Sequence, residues 1–160
     1  MEFRKAIESD VNTIMNIIKQ AQAYFKEQGI NQWQNNYPNS ETIENDIINK
    51  NSYVLLNDNI IIGTVVLSFD GEKSYEFIYD GNWKSNFEYA VIHRIAVDTN
   101  YKGLGLASTI INNVKEICVN KGVCSIKVDT QKDNISMQKL LEKNGFEYCG
   151  IIYNDYAVNS

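Results

Sequence analysis

The chain has 160 residues, 44% of them hydrophobic, which suits one domain with a proper core. Fifteen Lys and Arg stand against 20 Asp and Glu, a formal net charge of −5, which argues against non-specific nucleic-acid binding and favours a cationic ligand. No apolar run reaches membrane-spanning length, and Met1-Glu2-Phe3 opens no signal peptide.

Phe3 to Ala6 reads as a short strand. Ser9 is placed to cap a long helix with Val11, Ile14, Met15, Ile18 and Phe25 on one face, and Gly29 ends it. The aromatic, amide-rich loop Gln32 to Pro38 follows, then a second helix from about Ser40 to Lys50 with Ile43, Ile47 and Ile48 inward. Tyr53 to Leu56, the turn Asn57-Asp58-Asn59, and Ile60 to Phe69 form a hairpin. Asp70 to Phe87 is polar and aromatic and reads as a loop. Glu88 to Val97 is the central strand. A helix from Leu104 to Asn120 carries Ala107, Ile110, Ile111, Val114 and Cys118 inward and is closed by Gly122. Ser125 to Thr130 alternates as a strand. Asn134 opens a helix with Met137, Leu140 and Leu141 at helical spacing, and Asn144-Gly145 stops it. Tyr148 to Tyr153 reads as a last strand. No linker, repeat or low-complexity tract divides the chain, so residues 1–160 are taken as one domain.

The richest stretch is His93 to Ala107, where a strand-like run ends in a polar turn and two glycines lead into a helix. Strand, glycine turn and helix in that order collect free backbone N–H groups at the positive end of a helix dipole, a site for a phosphate or pyrophosphate. A P-loop is excluded because Lys102 precedes the glycines instead of following them. A dinucleotide fingerprint is excluded because Gly103, Gly105 and Ser108 break the three-glycine spacing. An ordinary tight turn with small residues for packing is the plain alternative.

Lys102 to Ala107 resembles the Q/R-x-x-G-x-G/A signature of the GCN5-related N-acetyltransferase (GNAT) family. Lys102 stands where the family usually has Arg or Gln, Gly105 at the fixed glycine and Ala107 at the closing small residue. Asn134 to Phe146 is similar to the family's N-x-x-x-x-x-L-Y-x-x-x-G-F segment, with Leu141 where a Tyr is usual. The order β-α-α-β-β-β-α-β-α-β matches the family's α/β fold, a mixed central sheet with helices on both faces. The family has one more strand after Tyr153, for which seven residues remain, so the expected domain either lacks that strand or takes it from elsewhere. An edge completed by a partner is compatible with a homodimer.

The resemblance implies an acyltransferase that moves the acetyl group of acetyl-CoA to a primary amine by direct attack in a ternary complex. The acceptor would be a small-molecule or peptide amine. Two alternatives stay open: a protein N-terminal acetyltransferase of the ribosomal-protein type, and a non-catalytic acyl-CoA sensor. It also implies that Lys102, Gly103, Leu104, Gly105, Leu106, Ala107 and Ser108 hold the pyrophosphate, with Asn134 contributing. Ile95, Ala96 and Val97 would offer backbone groups to the pantetheine arm and thioester, where a donor aimed at the developing oxyanion is the expected contribution. Ile95 and Val97 read equally well as core residues.

Amine attack needs a neutral nitrogen, and a Lys-like ammonium near pKa 10.4 must lose a proton first. His93 within the central strand and Glu88 at its start are the two candidate bases. Strict alternation places His93 on the face of Val91 and Ile95, with Arg94 opposite. A satisfied structural His and a solvated strand end are the plain readings. Trp33 and Tyr37 are candidates for the acceptor wall, with Trp33 equally readable as a hydrophobic plug. Cys118, Cys124 and Cys149 lack C-x-x-C spacing and there is one His, so no metal is expected. The cysteines read as small core hydrophobes of a reduced, cytoplasmic protein without nucleic-acid or membrane partners.

Overall fold

The computed structural model describes residues 1–153. Five strands, β1 (Glu2–Lys5), β2 (Ser52–Asn57), β3 (Ile60–Ser68), β4 (Ala90–Val97) and β5 (Ile126–Lys127), form one sheet in the order of their numbering. The first four are antiparallel, and β5 runs parallel to β4. The β2–β3 turn places Asp58 and Asn59 at positive φ, as a two-residue hairpin turn of this hand requires.

Helices cover both faces, as expected. On one side α1 (Val11–Glu27) and α2 (Ser40–Ile48) bury Ile14, Ile17, Ile18 and Ile43 against Val54, Leu56 and Ala96. On the other, α3 (Leu106–Asn120) buries Leu106, Ile110, Val114 and Cys118 against Leu55, Ile62, Val65, Leu67 and Ile92. Gly63 permits that approach, since a Cβ there would stand 2.8 Å from Ile110 Cδ1. A fourth helix, α4 (Ile135–Lys143), is capped by Asn134 Oδ1, which accepts from the Met137 amide. No helix among the described residues is long and apolar enough to cross a membrane.

Several boundaries differ from the sequence reading, each for a local reason. Ser9 caps nothing. It lies in a 3₁₀ turn, and the Asp10 carboxylate takes the Ile7 amide and the Arg4 guanidinium (2.8 Å each) just before α1 begins. Ile48 is 74% exposed at the last turn of α2, beyond the reach of the core. Ala107 is only half-buried. The strand read over Ser125 to Thr130 pairs at two residues only, because the two strands part beyond Val91 and Lys127. Tyr148 to Tyr153 makes no ladder. Its one pairing among the described residues is an antiparallel bridge, Ile151 with Tyr79, between the tail and the loop before β4. That loop contains its own 3₁₀ turn at Lys73–Glu76. The further strand expected after Tyr153 lies outside the described residues.

Candidate active site

β4 carries an irregularity on which the site depends. Thr64 pairs with Ala96 but Val66 pairs with His93, so β4 holds one extra residue against β3. The bulge falls at Arg94, whose φ of +46° is a left-handed conformation that non-glycine residues rarely adopt. Alternation breaks there. Ile95, expected on the face of His93, packs with the α3-side core together with Ile92. Arg94 instead turns toward α2 and the Gln32 to Pro38 loop. Its Nε and Nη2 donate to Asp46 Oδ2 and Oδ1 at 2.8 and 2.6 Å, and Nη1 donates to the Tyr37 hydroxyl at 2.9 Å.

Beyond the bulge the edge of β4 facing β5 is open. Ala90 N–H donates to Ser125 O and so faces β5, while Asp98 N–H donates to Ile62 O and faces the β3 side. Counting back from Asp98, Ala96 also faces β3, which turns the backbone groups of Val97 and Ile95 into the gap. These are the groups expected to meet the thioester and pantetheine. Ala96 has its side chain in the α1-side core.

The gap continues into a cleft of about 560 Å³, within the size range of small-molecule sites. Phe25, Trp33, Tyr37 and Phe77 supply its aromatic walls, and Glu72, Glu76, Asp129, Lys73 and Arg94 its charges. Trp33 is 4% exposed and packs edge-on against Phe25 at 5.6 Å, so it is a plug whose remaining surface lines the cleft. Tyr37 is committed to Arg94.

Of the two candidate bases, His93 lines the cleft and Glu88 does not. Glu88 is exposed, two residues before β4 begins. Burial, with Arg94 alongside, pushes the His93 imidazole down to about 4. It is therefore neutral at pH 7, and a poor place to hold a proton. Asp129, absent from the sequence reading, also lines the cleft, with Tyr75 Oη donating to its Oδ2 at 2.6 Å. Burial pushes this carboxyl above its ordinary value while the Tyr75 bond pulls it back. Arg94, Asp46, Tyr75 and Glu72 were likewise missed. Only the charged residues inside a predicted helix or strand (Asp46, Arg94, Asp129) offered any signal.

At the far end of β4, a 3₁₀ turn over Thr99–Tyr101 leads into the glycine turn. Gly103 and Gly105 take φ of +82° and +72°, and Gly105 is the N-cap of α3. The first bond of the helix is Thr109 N–H to Gly105 O, and among the described residues the amides from Gly103 through Ser108 make no hydrogen bond. Six consecutive free N–H groups at a helix N-terminus fit a pyrophosphate. Leu104 is exposed, Leu106 is core, and Ser108 Oγ accepts from Asn144 at 3.0 Å, tying α3 to the end of α4. Lys102 Nζ lies over the Tyr24 ring, 4.3 Å from its centroid. Asn134 is buried, capping α4 and donating to Gln32 Oε1 at 2.9 Å, so its side chain ties α4 to the Gln32 to Pro38 loop. Leu141, where the family often has Tyr, is half-buried on α4.

The model of the Acetyltransferase (GNAT) family matches residues 16–146. The chain belongs to the GNAT acetyltransferase family. It is an acyltransferase by that membership, with the mixed sheet and two-sided helix cover of the GNAT fold. A GNAT acetyltransferase from Streptococcus agalactiae superposes with a TM-score of 0.88 at 31% identity, over 96% of this chain and 89% of that one. An acetyltransferase from Clostridium acetobutylicum, solved with acetyl-CoA, shares the GNAT fold at a TM-score of 0.61 and 16% identity, over 92% and 90% of the two chains. N-acetylaspartate synthetase of Xenopus tropicalis is 33% identical over 61 residues, 38% of this chain and 22% of that protein. The GNAT chain thus matches about a fifth of this curated relative's length.

Proposed function

We propose that this GNAT protein transfers the acetyl group of acetyl-CoA to the primary amine of a small cationic acceptor, by direct attack in a ternary complex. One observation carries the reading. The backbone edge at Ile95 and Val97, unpaired among the described residues, leads at Ile95 into the cleft that aromatic rings and carboxylates line, with six free amides at the N-terminus of α3 beyond it. The coenzyme would lie along β4 with its pyrophosphate on the glycine turn. Its carbonyl would meet a fixed backbone donor, which lowers the barrier without reorganisation.

The acceptor enters from the aromatic side, where Glu72, Glu76 and Asp129 favour a cation. The name of the Xenopus relative points to an aspartate acceptor, and these carboxylates would repel one. Direct transfer is supported by the cleft lining, which contains none of Cys118, Cys124 and Cys149. Leu141 offers no proton to the departing sulfur, and a thiol of pKa near 8.5 is a tolerable leaving group without one.

A panel of mono-, di- and polyamines, amino acids and N-terminal peptides, assayed with acetyl-CoA by thiol release, tests this. Turnover is expected with cationic amines. Preference for peptide N-termini would move the protein to N-terminal acetylation, and binding of acetyl-CoA with no turnover on any amine would make it a sensor.

A further inference from the structure

His93 and Glu88 leave the proton without a good acceptor, and the cleft supplies another. Val91 pairs with Lys127 in the β4–β5 ladder. Two residues further along each chain, where the strands have parted, stand His93 and Asp129. Ile126 and Val128 pack with the α3-side core, as do Ala90 and Ile92, so Asp129 and His93 alternate to the opposite face, and both line the cleft. Asp129 thus sits across the gap from the bulge, beside the edge where the thioester is placed.

Its carboxylate is prepared on one side only. Tyr75 Oη donates to Oδ2 at 2.6 Å, and Oδ1 has no hydrogen-bond partner among the described residues. Tyr75 is itself pinned, 3% exposed, with the Trp83 indole N–H on its carbonyl at 2.9 Å. Among the described residues no cation pairs with Asp129. Arg94 is consumed by Asp46 and Tyr37, and Lys127 lies over the Trp83 and Tyr89 rings at 4.3 and 4.0 Å. A carboxylate buried without its cation calls for one from the ligand.

Resting on the acetyl-transfer reading above, we propose that Asp129 is a catalytic residue, receiving the acceptor ammonium on Oδ1 and taking its proton, with Tyr75 as the residue that positions it. The ammonium passes one proton to Asp129. The freed lone pair forms the C–N bond to the acetyl carbon, and the C–S bond breaks with its electron pair leaving on the coenzyme sulfur. The second nitrogen proton goes to solvent, from which the thiolate is protonated, and Asp129 returns its own proton to solvent. Burial narrows the gap between the two partners by raising the carboxyl, as Glu72 also does. The groups that act on Asp129 are Glu72 and Tyr75 from the loop before β4, while His93 and Arg94 from β4 line the same cleft. Glu76 and Lys73 line the same cleft, and the facing part of α4 (Asn134 and Met137) carries no charge.

The test is the pH profile of kcat/KM for an amine that the wild type turns over. Asp129→Asn is expected to lower kcat at least 100-fold and abolish the acid limb, with acetyl-CoA affinity changed less than threefold. Tyr75→Phe removes the bond that holds the carboxyl down, so its acid limb should move to higher pH by half a unit or more. An Asp129→Asn enzyme that keeps its rate and acid limb overturns the assignment, as does a Tyr75→Phe limb that stays in place. If the wild type acetylates no amine, the acetyl-transfer reading falls and this proposal with it. Wild-type activity with unchanged variants removes Asp129 alone.

Discussion

The Arg94–Asp46 pair offers the sharpest test of the packing. Its side chains are 14% and 10% exposed, and it joins the bulge of β4 to α2 through two bonds of 2.8 and 2.6 Å. Asp46→Ala strands the guanidinium with a single neutral partner, the Tyr37 hydroxyl at 2.9 Å. Breaking one side of a buried pair costs about 3–5 kcal/mol, and the residual exposure with the Tyr37 bond puts this one near the lower end, about 3 kcal/mol. At roughly 2–4 °C per kcal/mol for a chain of this size, the melting temperature should fall by about 6–12 °C. Arg94→Gly removes the charge that Asp46→Ala strands, so the double variant should be more stable than the sum of the singles by about 1.5 kcal/mol or more, the relief of the positive φ being common to both glycine variants and cancelling from the cycle. Urea melts of the four proteins measure the cycle. A loss under about 1 kcal/mol for Asp46→Ala, with additive singles, would mean the clamp contributes nothing and the bulge holds itself.

A Cβ at Gly105 would meet no neighbouring atom within 4 Å, but Gly105→Val forces a β-branched residue to φ +72°, so the protein should fold with a melting temperature a few degrees lower. The side chain would crowd the free amides, and calorimetry should show acetyl-CoA affinity reduced at least tenfold; unchanged affinity would remove the pyrophosphate from this turn. His93 titrates near 6.5 unfolded and about 4 folded, so the unfolded chain takes the proton first as pH falls. Stability should therefore be complete above pH 6.5 and decline toward pH 4 by up to about 3 kcal/mol, a decline that His93→Gln should flatten in urea melts across that range. Parallel slopes for the two proteins would show that His93 is solvated.

The helices and the glycine turn were legible because their signals are local. Apolar spacing in α1 and α3, and two glycines ahead of a helical pattern, each report on a few consecutive residues. The bulge was not, because a positive φ at Arg94 leaves no mark in a run of β-formers; it is held by Asp46 and Tyr37, 48 and 57 residues away. Asp46, a charged residue inside a predicted helix, is 7% exposed because Arg94 reaches it. The run from Ser125 to Thr130 has strand chemistry throughout, yet pairing depends on a neighbour, and the two strands part after two residues. That departure creates the cleft and brings Asp129 into it. Single-strand alternation also placed Ile95 wrongly, since one inserted residue exchanges the faces of everything beyond it.

The central claim is that the coenzyme lies along the open edge of β4 with its pyrophosphate on the start of α3. Backbone amide NMR shifts recorded while acetyl-CoA is added measure this residue by residue. The largest changes should fall on Ile95, Val97 and the run from Gly103 to Ser108, with smaller ones at Val128 and Asp129 across the gap. Saturable binding that leaves Gly103 to Ser108 unmoved, with its shifts gathered elsewhere, would contradict the account.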